Sequence, residues 1–131
     1  MTMIPFRKAT IAMFACTVSA ILLDTTPAHA QVGVTHCGAN ACAQTISISP
    51  ATNRIVIETW GLVNFHGHFQ LQGPGGTNFN SKGGDVNWTV DEPYMFKVPF
   101  DEGHYCFTAW KYNGKPGDYT KVGGTCFDIS T

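Results

Sequence analysis

Residues Gly103 to Phe127 read GHYCFTAWKYNGKPGDYTKVGGTCF and predict a long β-hairpin. Aromatic and β-branched residues occupy both ends of the segment, and the NGKPGD stretch between them is typical of a turn. Cys106 and Cys126 lie at equal distance from Pro116, so a disulfide between them would join the two strands and fix their register. In that register residue 106 faces 126, residue 108 faces 124 and residue 110 faces 122.

The same register divides the hairpin into two faces, because side chains alternate along a strand. One face is uniformly apolar and is the predicted core face; it carries Phe107, Ala109, Phe127 and Ile129. Trp110 and Tyr112 share the opposite face with Cys106, where we expect them to be partly exposed.

Residues 1–30 have the pattern of a cleavable signal peptide. Arg7 and Lys8 precede an apolar run of 15 residues, and Ala28-His29-Ala30 is a small-residue cleavage signal before Gln31. The apolar run is shorter than the roughly 20 residues that span a bilayer. We therefore expect export to the extracellular space or the periplasm, with no membrane span after cleavage.

Residues 31–131 have the size of a single domain and carry little charge. Their six Lys/Arg residues oppose eight Asp/Glu residues without any basic run, which argues against nucleic acid as a partner. Four cysteines remain in this part of the chain, and an even number in a small exported domain indicates two disulfides. Three pairings are possible. We favour Cys37–Cys42, which closes the tight loop CGANAC, and Cys106–Cys126, which fits the hairpin.

Period-two patterns predict strands in the rest of the domain. They cover residues 44–48, 54–60, 62–72, 85–90 and 94–100. Residues 31–43 and the loop Gly73–Gly84 are rich in glycine or alanine and are expected to be irregular. With the hairpin, this gives about seven strands, which predicts an all-β fold: an antiparallel β-sandwich with two disulfides. Trp60 and Trp88 are expected in its core.

The turn Asp101-Glu102-Gly103 and the following HYCFTAW resemble the penultimate strand of an immunoglobulin-like domain. In antibody domains a corner tyrosine stands two residues before the cysteine, whereas Tyr105 is adjacent to Cys106. The expected disulfide also crosses the hairpin and not the sandwich. The resemblance therefore implies an immunoglobulin-like architecture and no particular function.

His66 and His68 form the sharpest candidate site. On a strand the spacing i, i+2 projects both imidazoles from one face, and such a pair can bind Cu(II), Zn(II) or Ni(II). His36 or His104 could supply a third ligand if the fold brings it near. The alternative is that both histidines belong to a solvated strand face, together with the glutamines that follow them.

Catalytic patterns are missing from the sequence, so we expect a protein that is not an enzyme and has no cofactor other than the Cu or Zn of the metal hypothesis. The acidic pairs at 91–92 and 101–102 lie in turns, where such residues are common for conformational reasons. The chain has no G-x-S-x-G motif, and its glycine-rich loop lacks the ending of a phosphate-binding loop.

Aromatic residues near the hairpin tip suggest a binding surface instead. Trp110, Tyr112 and Tyr119 cluster there, and the loop Gly73–Gly84 offers amides. The predicted contact residues are Trp110, Tyr112, Tyr119, Asn78 and Asn80. Rigid aromatic side chains beside loops are typical of recognition surfaces, so we expect an extracellular protein or a glycan as the partner. The alternative for Trp110 is that it only covers the disulfide.

Overall fold

The computed structural model describes residues 32–131, so the predicted signal peptide at residues 1–30 lies outside the described residues. Within these residues nine strands follow one another: β1 (Thr35–Gly38), β2 (Ala41–Ser49), β3 (Arg54–Gly61), β4 (Phe65–Gln72), β5 (Asn78–Asn80), β6 (Val86–Trp88), β7 (Pro93–Val98), β8 (Gly103–Tyr112) and β9 (Tyr119–Ile129). A short 3₁₀ turn at Pro74–Gly76 precedes β5. Residues 32–131 contain no helix with the length and apolar character needed to cross a membrane.

The strands form two antiparallel sheets that pack face to face. One sheet has the order β1-β2-β3-β7; the other has the order β5-β4-β8-β9, with β6 pairing the other half of β4. The predicted all-β sandwich with two disulfides is therefore confirmed, with both predicted cysteine pairs bonded. The described residues form nine strands where about seven were expected, because β1 and β5 lie in the two stretches expected to be irregular.

The core lies between the sheets, where each strand contributes every second side chain. Phe69 of β4 stacks on Trp88 at 4.3 Å and meets Phe107 edge-on at 5.1 Å between ring centroids. All four residues of the predicted core face of the hairpin are at most 4% exposed: Phe107, Ala109, Phe127 and Ile129. The indole N–H of Trp88 donates a hydrogen bond to the Gly67 carbonyl oxygen at 3.0 Å, which satisfies its one polar group.

Trp60 lies outside this core, contrary to the prediction. It is directly opposite Cys42 in the β2–β3 pair and opposite Pro93 in the β3–β7 pair, where it is half-buried. Its neighbours Thr59 and Gly61 are buried instead. Because side chains alternate along a strand, the indole lies on the outer side of the sheet, on the same rung as the Cys37–Cys42 disulfide.

The register of the β8–β9 hairpin is as predicted from Cys106↔Cys126 as far as Ala109↔Gly123, and then it shifts. Trp110 faces Lys121 and not residue 122, because Val122 is an extra residue in a β-bulge. The bulge leaves Val122 half-buried against the core.

Contacts with the β1–β2 turn account for this bulge. The amide N–H of Gly124 donates to the Ala39 carbonyl oxygen at 3.0 Å, and the Asn40 side-chain amide donates to the Val122 carbonyl oxygen at 3.3 Å. A Cβ atom on Gly123 would overlap the Ala39 carbonyl oxygen, so the close approach requires glycine there. The turn of one sheet thereby fixes the edge strand of the other.

Tyr105 ties the start of β8 to the preceding turn. Its ring is 1% exposed, and its hydroxyl donates a hydrogen bond to the Asp101 carbonyl oxygen at 2.7 Å. A tyrosine bonded back to the chain a few residues upstream is a feature of immunoglobulin-like corners. The Cys106–Cys126 disulfide, in contrast, joins neighbouring strands of one sheet. The immunoglobulin-like identity of the sandwich stays a prediction.

Candidate functional site

The two candidate sites from the sequence, the histidine pair and the aromatic cluster, lie on one surface. In the β4–β8 pair His68 faces Trp110, and in the β8–β9 pair Tyr112 faces Tyr119. Residues that face each other across a pair project from the same side of a sheet. We call this solvent-facing side the polar-aromatic face; it is defined by His66, His68, Gln70, Asn78, Asn80, Trp110, Tyr112 and Tyr119.

The amides predicted to bind from a loop belong to the same face. Asn80 pairs with Gln70 and Asn78 pairs with Gln72 across the β4–β5 ladder. The Asn78 side-chain oxygen also accepts a long hydrogen bond of 3.4 Å from the Gln70 amide. The expectation that residues 73–84 are wholly irregular was wrong at β5, which pairs with β4 through backbone groups despite the surrounding glycines.

Asp85 joins a histidine to a tyrosine near the centre of the face. Its two carboxylate oxygens accept hydrogen bonds from His68 Nδ1 at 2.9 Å and from the Tyr119 hydroxyl at 2.8 Å. The His68 ring meets the Tyr119 ring edge-on at 4.9 Å between centroids. The side chains of His68 and Asp85 are only 17% and 20% exposed. These contacts hold all three groups in fixed orientations.

The same contacts shift two ionisation equilibria. Burial of Asp85 by itself would raise its pKa, but the hydrogen bonds from His68 and Tyr119 outweigh burial and lower the pKa of this carboxyl below its ordinary value. The hydrogen bond to Asp85 raises the pKa of the Tyr119 phenol. Asp85 is therefore an ionised acceptor, and Tyr119 a neutral donor, over the physiological pH range.

His66 has a parallel arrangement at the end of the face. Its Nδ1 atom is 2.8 Å from the Asn87 side-chain oxygen, and its ring lies 6.3 Å from the ring of Tyr112. An amide oxygen and a carboxylate oxygen only accept hydrogen bonds, so in both histidines Nδ1 carries the hydrogen. In the neutral form of each ring, the lone pair is then on Nε2.

A cleft of about 430 Å³ opens between the histidine strand and the hairpin tip. Its walls come from β4, β5, β8, β9 and the β8–β9 turn: His68, Gln70, Asn80, Trp110, Gly117 and Tyr119. The half-buried indole of Trp110 donates from Nε1 to the Gln70 side-chain oxygen at 2.9 Å, so its ring orientation is fixed toward β4. Three of the five predicted contact residues therefore line one cleft together with one of the two predicted metal ligands.

The fold does not bring His36 or His104 near the histidine pair. His36 stacks on the core residue Phe127 at 5.3 Å, which places it on the inner side of the sheet. His104 stands six residues before Trp110 on β8, which corresponds to about 20 Å along a strand.

Within residues 32–131, the group of three potential ligands that could surround one ion is His104 with Cys106 and Cys126, and its sulfurs are joined in the disulfide. The metal role of the histidine pair stays a prediction.

No protein-family model, curated protein or solved structure matches this chain. The function must therefore be argued from the geometry of the site itself.

Asp85 and Asn87 are the site residues that sequence reasoning missed. Their outward position could have been inferred, because Asp85-Val86-Asn87-Trp88 alternates with valine and tryptophan inward. Their contact with the histidines could not, since it depends on the pairing of β6 with the first half of β4. Nothing in the alternation specifies which strand will be the neighbour.

Proposed function

We propose that this protein is a binding module whose polar-aromatic face recognises a glycan. The observation that supports this proposal is the convergence of Trp110, Tyr119 and His68 on one cleft that also contains amide side chains. Its volume of about 430 Å³ falls within the range of small-molecule sites, roughly 300–1,000 Å³.

The chemistry of the cleft suits a sugar ring. A pyranose offers an apolar C–H face to an aromatic ring and hydroxyls to hydrogen-bonding groups at its edge. Trp110 supplies the aromatic surface, held in place through Gln70. Beside it Asn80 presents an amide, which can both donate and accept hydrogen bonds. Side chains that are already ordered lose little entropy on binding.

The test compares Trp110 and Trp60, which lie on the outer sides of the two opposite sheets. The purified protein is applied to a glycan array, and the strongest binder is titrated by calorimetry. Trp110→Ala is expected to weaken binding by about 2 kcal/mol, roughly thirty-fold in Kd, as for a central aromatic contact. Trp60→Ala, on the outer side of the other sheet, is the matched control and should leave Kd unchanged.

Two outcomes would contradict the glycan proposal. The first is an array without any bound glycan. The second is a protein partner, found by pull-down with defined candidates, whose binding depends on Trp110 and Tyr112. In the second case the face is a protein-binding surface and the glycan assignment is wrong.

A second candidate function, binding of Cu(II) or Zn(II) by His66 and His68, is favoured by a separate observation. Both imidazoles have Nδ1 directed to an acceptor oxygen, that of Asn87 or that of Asp85. Metal-binding histidines commonly donate their second N–H to such an oxygen, which orients the ring and increases the basicity of the ligating nitrogen. The Nε2 atoms of two residues spaced i, i+2 on β4 would be the ligands.

Calorimetric titration of the protein with CuCl₂ and with ZnCl₂ tests this function. Binding should be lost in the double variant His66→Ala/His68→Ala and retained in His104→Ala, which removes an exposed histidine elsewhere. Asp85→Asn should weaken binding by about 10- to 100-fold, as expected for a group that orients a ligand. Identical titrations for the parent protein and the double variant would rule out the histidine pair.

A further inference from the structure

Each disulfide has one exposed cysteine, and the two disulfides differ in the burial of the other cysteine. Cys106–Cys126 lies on the outer side of β8 and β9, where Cys126 is exposed and Cys106 is half-buried. In the Cys37–Cys42 disulfide, Cys37 is also exposed, but Cys42 is only 3% exposed and is therefore the more deeply buried leaving sulfur. Exposed disulfides are the ones that exchange with external thiols, because a thiolate must approach one sulfur along the S–S axis.

An imidazole stands beside the less exposed sulfur of the β8–β9 disulfide. His104 Nε2 is 3.5 Å from Cys106 Sγ, and His104 Nδ1 is 2.8 Å from an oxygen of Asp128 on β9. The carboxylate oxygen can only accept, so Nδ1 carries the hydrogen and Nε2 is the atom turned toward sulfur. The side chains of His104 and Asp128 are 64% and 77% exposed, so neither is needed to fill the core.

We propose that Cys106–Cys126 is a thiol–disulfide exchange site with His104 assisting at the leaving sulfur. An external thiolate attacks the exposed Cys126 Sγ and forms a new S–S bond there. The old S–S bond breaks, and its electron pair leaves on Cys106 Sγ, which takes the Nε2 proton of His104 in the imidazolium form, where both ring nitrogens carry hydrogen. A second thiol then releases Cys126 and completes a two-electron transfer: the protein disulfide is reduced to a dithiol, and two external thiols are oxidised to a disulfide.

The geometry assigns the direction of attack. A leaving thiol departs faster when its thiolate is stabilised, and a neighbouring imidazolium is among the groups that lower a thiol pKa. Cys106 has that neighbour. Cys42 is only 3% exposed, and burial disfavours a charged thiolate. Asp128 acts as a positioning residue, because it orients the His104 ring without touching sulfur.

The substrate chemistry is a thiolate, and it can come from a small molecule or from a cysteine of another protein. Two reagents separate these sources: reduced glutathione and an unstructured peptide with one cysteine. The purified protein is treated with each reagent, quenched by alkylation at intervals, and digested for mass mapping of each cysteine. The Cys37–Cys42 disulfide serves as the control within the same molecule.

We expect Cys106–Cys126 to open at least ten-fold faster than Cys37–Cys42, with a mixed disulfide first on Cys126. His104→Gln should slow this opening several-fold and leave the other disulfide unaffected. His104→Lys, which keeps a cation beside sulfur, should restore most of the rate; a merely structural role of the imidazole would give no such recovery. Faster opening with glutathione than with the peptide indicates a small-molecule thiol, and the reverse indicates a protein thiol.

Three results would overturn the proposal: equal opening rates of the two disulfides, an unchanged rate in His104→Gln, or a His104→Lys variant as slow as His104→Gln. Melting curves of the oxidised variants verify that each is folded. None of these outcomes depends on glycan or metal binding.

Discussion

Removal of the Tyr105 hydroxyl should have opposite effects on stability at neutral and at alkaline pH. At neutral pH, Tyr105→Phe deletes the 2.7 Å hydrogen bond to the Asp101 carbonyl oxygen from a residue that is 1% exposed. The net cost of one such bond is about 1 kcal/mol. In a domain of this size that corresponds to a decrease in Tm of roughly 4–8 °C.

At alkaline pH the sign reverses. Burial, followed by the charge of Asp101, raises the pKa of Tyr105 to about 12 from the model-compound value of 10.0. Between these values the unfolded chain releases the phenol proton and the folded chain keeps it, so stability falls as the pH rises. Two pKa units correspond to about 2.7 kcal/mol. The phenylalanine variant has no such proton and escapes this loss, so it should become the more stable protein above roughly pH 11.

Urea unfolding followed by tryptophan fluorescence, at intervals from pH 7 to pH 11.5 without reductant, measures both effects. In the difference between the unfolding free energies of the two proteins, the contributions of all titrating groups that they share cancel. A difference spectrum of tyrosinate absorbance between them reports the ionisation of Tyr105 independently. A free-energy difference that stays constant across this range would refute the argument, because it would mean that Tyr105 ionises equally in both states.

Three further predictions concern the remaining determinants of the fold. Because the pKa of Asp85 is lowered in the folded protein, its contribution to stability is present above about pH 3.8 and is lost as the pH falls through the folded-state pKa. The loss of unfolding free energy caused by Asp85→Asn at pH 7 should therefore become smaller in unfolding curves measured at acid pH. A loss that does not depend on pH would contradict this. Gly67→Ala should lower the free energy of unfolding in urea by at least about 2 kcal/mol, because the new Cβ would overlap a backbone carbonyl oxygen of β8. The control Gly61→Ala should lower it much less, because its Cβ would meet only contacts of 3.4 Å or more. Replacing both cysteines of the β8–β9 disulfide by alanine should lower the free energy of unfolding by about 3 kcal/mol, because this disulfide closes a loop with a sequence separation of 20. The same replacement in the β1–β2 disulfide, with a separation of 5, should lower it by about 2 kcal/mol. The reverse order would exclude loop entropy as the main contribution.

The parts of the fold that the sequence predicts are those determined by local alternation. Phe65, Phe69 and Leu71 point inward from β4 because period-two burial needs no knowledge of the partner strand. The β8–β9 hairpin is equally local, since the cysteines and the turn set its register within 25 residues. Both disulfides follow from the same reasoning.

The errors occur where a distant segment overrides the local pattern. Alternation over residues 44–48 places Ile46 and Ile48 on one face, but a bulge between Thr45 and Ser47 leaves Ile46 37% exposed. Alternation over residues 85–90 places Val90 on the inner side with Val86 and Trp88, but Val90 is 48% exposed, because β6 ends at Trp88 and the chain turns. In the same way, the bulge at residue 122 is set by a contact with a turn more than 80 residues earlier in the chain. Alternation alone carries no information on such contacts.

The candidate site shows the same division between local and distant information. The types of its side chains were recognised from sequence, but the cleft exists only because β4 pairs with β8, which brings residues about 40 positions apart onto one rung. A histidine pair and an aromatic cluster thus became one surface. Their separate functional hypotheses now compete for the same groups, and a ligand in the cleft would contact His68 and Trp110 together.

The exchange site, in contrast, should be independent of that cleft. Cys106 and Trp110 lie on the same side of β8 but four residues apart, which is about 13 Å along the strand. Between them stands the rung of Thr108 and Gly124, and Thr108 is 9% exposed. Substitutions more than roughly 7–10 Å apart without shared partners have additive effects. His104→Gln should therefore leave glycan or metal affinity unchanged, and Trp110→Ala should leave the rate of disulfide opening unchanged. A change in either quantity would mean that the two sites communicate through β8, and that the outer side of this sheet works as one site.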